Sequence, residues 1–333
     1  MIKEVSKILR KTPKTALALG SGSARGMAHI GVIKALVEKG VKIDMISGVS
    51  MGALVGAVFA REGRIDDIEH IAVNMDWKKL VGLADPHFFM LNKGFIHGEK
   101  VKKFLKAVIG DISFSDLKIP FSVVTCDIKK GVKKVINKGS VISAVRASIS
   151  IPGIFTPVPL GGSFFVDGGI IEPVPVATAR EMGAVRVIAS NVICGPAKCG
   201  PAKKFSGSEP QNTGYAKKEV AVSSLQVLEK VIRNITDENR EIIAAAADYA
   251  YKLKNKFYSQ KMKVFSGMPS FFETILKAVY IMEYEAAKES CRQADVLISP
   301  DTSFMGVLEF YRGAEAIDAG YRAALNALKN TPV

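Results

Sequence analysis

The chain has 333 residues and a mass of 35.8 kDa, and its 46 Lys and Arg outweigh 32 Asp and Glu to give a net charge of +14. A hydrophobic share of 48% with 23% charged residues excludes a disordered or collagen-like chain and allows one large domain or two ordinary ones. The basic excess invites an anionic partner, whether nucleic acid, an acidic substrate or a membrane surface, and composition does not choose among them. The four cysteines (Cys126, Cys194, Cys199, Cys291) are too few and too scattered for a disulfide framework and point to a reducing compartment.

Residues 1–13 form a basic N-terminal segment in which Ile2, Val5, Ile8 and Leu9 share a helical face ringed by Lys3, Lys7, Arg10 and Lys11. Such a helix either packs on its own domain or lies on an anionic membrane. No signal-peptide pattern follows it. The most apolar long window, Ile43 to Ala60, holds Asp44 and three glycines and reads as a buried strand, turn and helix rather than a membrane span. A cytoplasmic protein is expected, soluble or peripheral on the inner face of the membrane.

From Lys14 to about Val192 strands and helices alternate. Thr15–Leu19 reads as a buried strand and Gly26–Lys39 as a helix capped by Gly40. Val41–Ile46 reads as a second strand and Met51–Ala60 as a second helix. Further strands are predicted at Phe121–Cys126, Val132–Ile136, Ser163–Val166 and Val185–Val192, with a helix near Pro175–Met182. The alternation predicts an α/β fold with a mostly parallel sheet covered on both faces.

The character changes after residue 193. Residues 194–216 open with Cys-Gly-Pro-Ala-Lys twice in tandem and read as a flexible loop. Cys194 and Cys199 lack the partner ligands a metal site needs, so no metal is expected. Residues 217–333 form a helical C-terminal region, with helical spacing at Lys217–Lys256, Phe271–Gln293 and Glu309–Leu328 and a returning strand near 294–300.

The second strand runs into Gly48-Val49-Ser50-Met51-Gly52 and then a helix. That is G-x-S-x-G between strand and helix, where a strained turn exposes a serine Oγ beside the positive end of a helix. Gly48 and Gly52 give room for the turn. The four histidines are His29, His70, His87 and His97, so the Ser, acid, His chain order of an α/β-hydrolase is impossible. His29, next to the glycine-rich loop, reads as a bracing residue, with a base as the alternative. The better base is Asp167, at a strand's end before Gly168 and Gly169, whose missing side chains allow close approach to another loop. A free Asp is too weak a base for a hydroxyl, but burial strengthens it.

Gly20-Ser21-Gly22-Ser23-Ala24-Arg25-Gly26 joins the first strand to the first helix. One reading is a dinucleotide-binding oxidoreductase with Asp44 on the ribose, although the glycine spacing departs from G-x-G-x-x-G. The other is an oxyanion hole, with backbone N–H groups of Ser21, Gly22, Ser23 and Ala24 aimed at one oxygen and Arg25 and Gly26 shaping the loop or meeting a phosphate. A basic nucleic-acid-binding protein is a third class, unsupported by any zinc-finger or helix-turn-helix signature, and no nucleic acid is expected as a partner.

In this order, the Arg-Gly loop, G-x-S-x-G and Asp-Gly-Gly resemble the bacterial patatin-like phospholipases. The resemblance extends through Ala28–Leu36, Ala144–Phe155 and Asp167–Pro175 and covers roughly residues 14–193, read as the catalytic core. It implies a patatin-like three-layer α/β/α fold with a helical C-terminal extension and a Ser–Asp dyad of Ser50 and Asp167. It also implies an oxyanion hole of backbone N–H groups around Gly22 and Ser23, and metal- and cofactor-free hydrolysis of carboxylic esters in phospholipids or lysophospholipids. A catalytically weak regulatory member of the same fold is the alternative. Two departures stand out. Ser21 and Ser23 interrupt what is often a run of glycines, and Glu172 stands where Asn is common, adding a carboxylate that raises the Asp167 pKa if it lies close.

The basic excess is peripheral. Residues 1–14 hold five basic and one acidic residue, residues 93–138 eleven and four, and residues 196–264 thirteen and seven, so the rest of the chain is net acidic. An anionic membrane surface is the expected partner.

Overall fold

The computed structural model describes residues 13–75, 98–196 and 271–329. The expected N-terminal helix, the helical spacing of 217–256 and nearly all of the loop 194–216 lie outside them. Among the described residues no helix is long and apolar enough to cross a membrane.

The strands are β1 (Thr15–Leu19), β2 (Met45–Val49), β3 (Phe121–Asp127), β4 (Val132–Ile136), β5 (Val158–Leu160), β6 (Ser163–Asp167), β7 (Arg186–Ser190) and β8 (Val296–Ile298). They form one sheet in the order β5-β6-β3-β2-β1-β7-β8, with β4 paired to β3. Strands β1, β2, β3, β7 and β8 are parallel, while β4, β5 and β6 join antiparallel. The sheet is mostly parallel, as the alternation of strand and helix requires. The second strand begins later than its apolar run suggested, because Asp44 is held outside the sheet: its Oδ2 accepts from the Thr15 N–H and its Oδ1 pairs with Lys42.

Alternate residues of β1 feed two cores. Leu17 and Leu19 pack with helices α1 (Ala28–Glu38), α2 (Met51–Glu62), α3 (Asp66–Val73), α4 (Glu99–Ile109) and α5 (Val141–Ser148). Ala16 and Ala18 face the opposite side, toward α6 (Val176–Glu181) and α7 (Phe271–Cys291). This period-two split places a helical layer on each face of the sheet. The small β1 side chains on the second face let α6 approach closely.

The C-terminal segment belongs to the same body. Strand β8 extends the sheet beside β7, and α8 (Gly313–Lys329) packs along α1. The crossing leaves no space for side chains at two glycines: a Cβ on Gly31 would lie 1.9 Å from the Ile317 carbonyl oxygen, and one on Gly320 1.9 Å from that of Ala28. Gly31→Ala is therefore expected to force the helices apart and cost about 3 kcal/mol or more, read as a lower midpoint in urea unfolding.

Candidate active site

The register of β3 brings two loops together. Its Val123 and Val124 pair with Gly48 and Val49 of β2, and its Thr125 pairs with Asp167 of β6. On the opposite edge, Val123 and Thr125 both pair with β4. Hence β2 and β6 occupy successive stretches of the same β3 edge, pointing at each other. Ser50 leaves the end of β2 where Asp167 ends β6.

Ser50 sits at φ 54°, ψ −123°, a left-handed backbone that costs a non-glycine residue roughly 1–3 kcal/mol and is held by its surroundings. Its Oγ donates to Asp167 Oδ2 at 2.6 Å. Asp167 Oδ1 accepts from the Gly169 N–H at 2.8 Å, which fixes the carboxylate plane. Ser148 holds the junction: its hydroxyl accepts from the Ser50 N–H at 2.8 Å and donates to the Val124 carbonyl at 2.7 Å. Two residues on, the Ser150 carbonyl accepts from the Asp167 N–H. One short segment thus ties down both members of the pair. Nothing in the sequence of this segment announces the role.

The pair is dry. Ser50 is 3% and Asp167 1% exposed. Burial pushes the Asp167 carboxyl up from 3.8 to about 7, against the hydrogen bonds from Ser50 and Gly169 that favour its charged form. His29 has both ring nitrogens engaged away from the pair. Its Nε2 donates to the Gly20 carbonyl, so its Nδ1 accepts from the Ser190 hydroxyl, each at 2.8 Å. Burial lowers its pKa to about 4, leaving it neutral and bracing the loop.

The glycine-rich loop ends in a 3-10 turn at Ser23–Met27. The N–H groups of Ser21 and Ala24 are already bonded to the carbonyls of Pro173 and Val307, at 2.7 and 3.0 Å. That removes them from the four expected donors. The N–H groups of Gly22 and Ser23 have no acceptor among the described residues. Ser23 takes φ 50°, so the serine that interrupts the glycine run does adopt the left-handed backbone that glycine would accept freely. Buried Arg25 does not reach for a phosphate: its Nε donates to the Met305 carbonyl and its Nη1 to the Tyr280 hydroxyl. The motif glycines answer to crowding. A Cβ on Gly26 would lie 2.4 Å from Met51 Cγ, on Gly48 2.7 Å from the Gly52 oxygen, on Gly52 2.2 Å from the Leu19 oxygen and on Gly168 2.4 Å from the Val124 oxygen.

Two expectations change. Glu172 does not act on Asp167: it accepts from the Thr178 N–H and hydroxyl and pairs with Lys133. The carboxyl beside the turn after Asp167 is Glu283 on α7, whose Oε1 lies 2.7 Å from where a Gly169 Cβ would stand, with Asp167 Oδ1 3.1 Å from the same point. Burial first, then the Asp167 charge, pushes Glu283 up to about 8. No local signal marks this residue, which is 116 positions beyond Asp167 in a helix of ordinary spacing. Cys194, expected to be a reduced thiol, is disulfide-bonded, whereas Cys126 and Cys291 are free.

The patatin-like phospholipase family profile matches residues 17–180. An uncharacterized NTE family protein of Mycobacterium tuberculosis is 31% identical over 342 residues, covering 96% of this chain and 92% of that protein. The chain belongs to the patatin-like phospholipase family. The human patatin-like phospholipase domain-containing protein 6 is 36% identical over 182 residues, 53% of this chain and 13% of that protein. The crystal structure of VipD from Legionella pneumophila aligns with a TM-score of 0.45 and 13% identity over 96% of this chain and 67% of that one. At the level of the family, this patatin-like chain is a lipid hydrolase.

The raised Asp167 carboxyl has a consequence for stability. Between pH 3.8 and about 7 the folded protein keeps a proton that the unfolded chain releases. Its contribution is complete below the lower value and lost as pH rises through the upper one. Asp167→Asn is expected to melt a few degrees higher than wild type at pH 8 and to lose that advantage at pH 4, as read by thermal denaturation across pH.

Proposed function

We propose that this protein is a serine acyl hydrolase that cleaves carboxylic ester bonds of phospholipids or lysophospholipids through Ser50 and Asp167. The single observation that supports it best is the 2.6 Å hydrogen bond from a strained, helix-end serine to a buried carboxylate. Asp167 Oδ2 takes the Ser50 proton as Oγ bonds to the ester carbonyl carbon. The carbonyl oxygen becomes an oxyanion held by the N–H groups of Gly22 and Ser23, beside the N-terminus of α2. Collapse breaks the bond to the alcohol, which leaves with the proton from Asp167. Water then gives a proton to Asp167 and attacks the acyl-enzyme; the fatty acid departs and the proton returns to Ser50. Asp44, needed by the oxidoreductase alternative, is already engaged by Thr15 and Lys42.

A fluorophosphonate probe is expected to label the wild type and leave Ser50→Ala unmodified. Hydrolysis across a panel of phospholipids, lysophospholipids and short esters should fall at least a thousandfold in that variant. Undiminished hydrolysis by folded Ser50→Ala would overturn the assignment.

An anionic membrane surface is the proposed partner. The hairpin between β3 and β4 leaves the sheet at its C-terminal end, the end from which Ser50 also emerges. There Ile128, Val132 and Phe164 are 49%, 48% and 40% exposed, with Lys129 over the Phe164 ring and Lys130 beside it. Apolar side chains among lysines suit the interface of an anionic bilayer, where each lysine contributes about 1 kcal/mol. Replacing Lys129 and Lys130 together by Glu is expected to weaken binding to phosphatidylglycerol vesicles at least tenfold. Hydrolysis of a short soluble ester should stay at the wild-type rate.

A further inference from the structure

Helix α7 presents Tyr280, Glu283 and Ala287 on one face at helical spacing. Ala287 is fully buried in the core on this side of the sheet. Tyr280 donates to the Cys194 carbonyl and receives the Arg25 guanidinium. Between them Glu283 faces the turn Gly168–Ile170, where the helix packs. Around Gly169 three oxygens converge: Glu283 Oε1, Ser21 Oγ and Asp167 Oδ1 lie 2.7, 2.9 and 3.1 Å from the position of a Cβ on that glycine. Asp167 Oδ1 belongs to the same carboxylate that holds Ser50.

Among the described residues nothing neutralises Glu283. The nearby cation, Arg25, is turned to the Met305 carbonyl and the Tyr280 hydroxyl. Glu172 and Lys133, toward α6, are paired with each other. His29 is neutral and bonded to Gly20 and Ser190.

We propose that Glu283 is a positioning residue of the hydrolytic pair: its carboxyl, standing across Gly169 from Asp167, opposes charge on that base and so sets the pH range in which Asp167 takes the proton from Ser50. Two carboxyls held this close resist ionising together and titrate as a unit that shares a proton. Burial of each pushes in the same direction. An aspartate held in this way binds the hydroxyl proton more strongly than a solvated one. The inference rests on the Ser50–Asp167 reading and adds the residue that tunes it.

The test is the pH dependence of fluorophosphonate labelling and of kcat/KM on a short neutral ester for wild type, Glu283→Gln, Glu283→Leu and Ser50→Ala, with thermal melts to show folding. Both Glu283 variants remove the charge, and Gln keeps the shape. The expected result is an acid limb displaced downward by about one pH unit or more, with a plateau several-fold lower because the base is weaker. An unmoved acid limb in a folded variant overturns the proposal, and so does a folded Glu283→Gln that is silent at every pH. If Ser50→Ala is itself labelled, the pair has been misassigned, an outcome distinct from failure of the role given to Glu283.

Discussion

One edge of β3 carries the site. Strand β2 pairs with it as far as Val124, and β6 takes over at Thr125 from the opposite direction. Two strands meeting end to end cannot continue each other's ladder, so the chain must leave the sheet on both sides of the junction. Ser50 and Asp167 are the residues at those exits. The unpaired groups left there are satisfied by Ser148, whose single hydroxyl serves the Ser50 N–H and the Val124 carbonyl. Buried backbone polar groups need such partners. The geometry of the pair follows from sheet pairing, and the segment after α5 makes that pairing affordable.

The same junction raises the proton affinity of the carboxyl that faces Ser50. A solvated aspartate holds a proton too weakly to draw one from a hydroxyl. Here the sheet edge, α2 and the turn after β6 exclude water, and burial outweighs the two hydrogen bonds that favour the charged form. The buried histidine has the opposite fate, because burial disfavours its cation and holds it neutral. Low polarity thus raises the proton affinity of the carboxyl and keeps the imidazole neutral, where it braces Gly20 and Ser190.

The fold was legible where local pattern decides structure. The bounds of β1 and β4 coincide with their apolar or alternating runs, and G-x-S-x-G lies between strand and helix as its spacing requires. Asp167 was reachable by elimination, since no histidine follows residue 97. What escaped depends on contacts distant in the chain. The Ser21 and Ala24 N–H groups are consumed by carbonyls at 173 and 307. Glu172, adjacent in sequence to Asp-Gly-Gly, turns away to Thr178 and Lys133, while Glu283 arrives from a remote helix. Nearness in sequence misled for one carboxylate and was silent for the other, because the direction of a side chain after a turn is set by tertiary packing. The motif glycines were recognisable, but Gly48, Gly52 and Gly168 are there for close approach of backbone and Gly26 for the Met51 side chain.

The charge of the chain divides along the same lines. Lysines stand at the β3–β4 hairpin, where Lys129 lies over Phe164 and Lys130 follows it, while buried Asp167 and half-buried Glu283 gather around Gly169. Among the described residues no ion pair joins the two sets, and Lys133 of β4 is taken by Glu172 and Glu181. Separation suits both ends. Exposed lysines are screened over roughly 8–10 Å at physiological salt and so act on a surface they touch, not on the buried acids. The lysines thus stand at the rim of the sheet's C-terminal end, and the carboxyls that face Ser50 and Gly169 stand inside it without a lysine partner among the described residues.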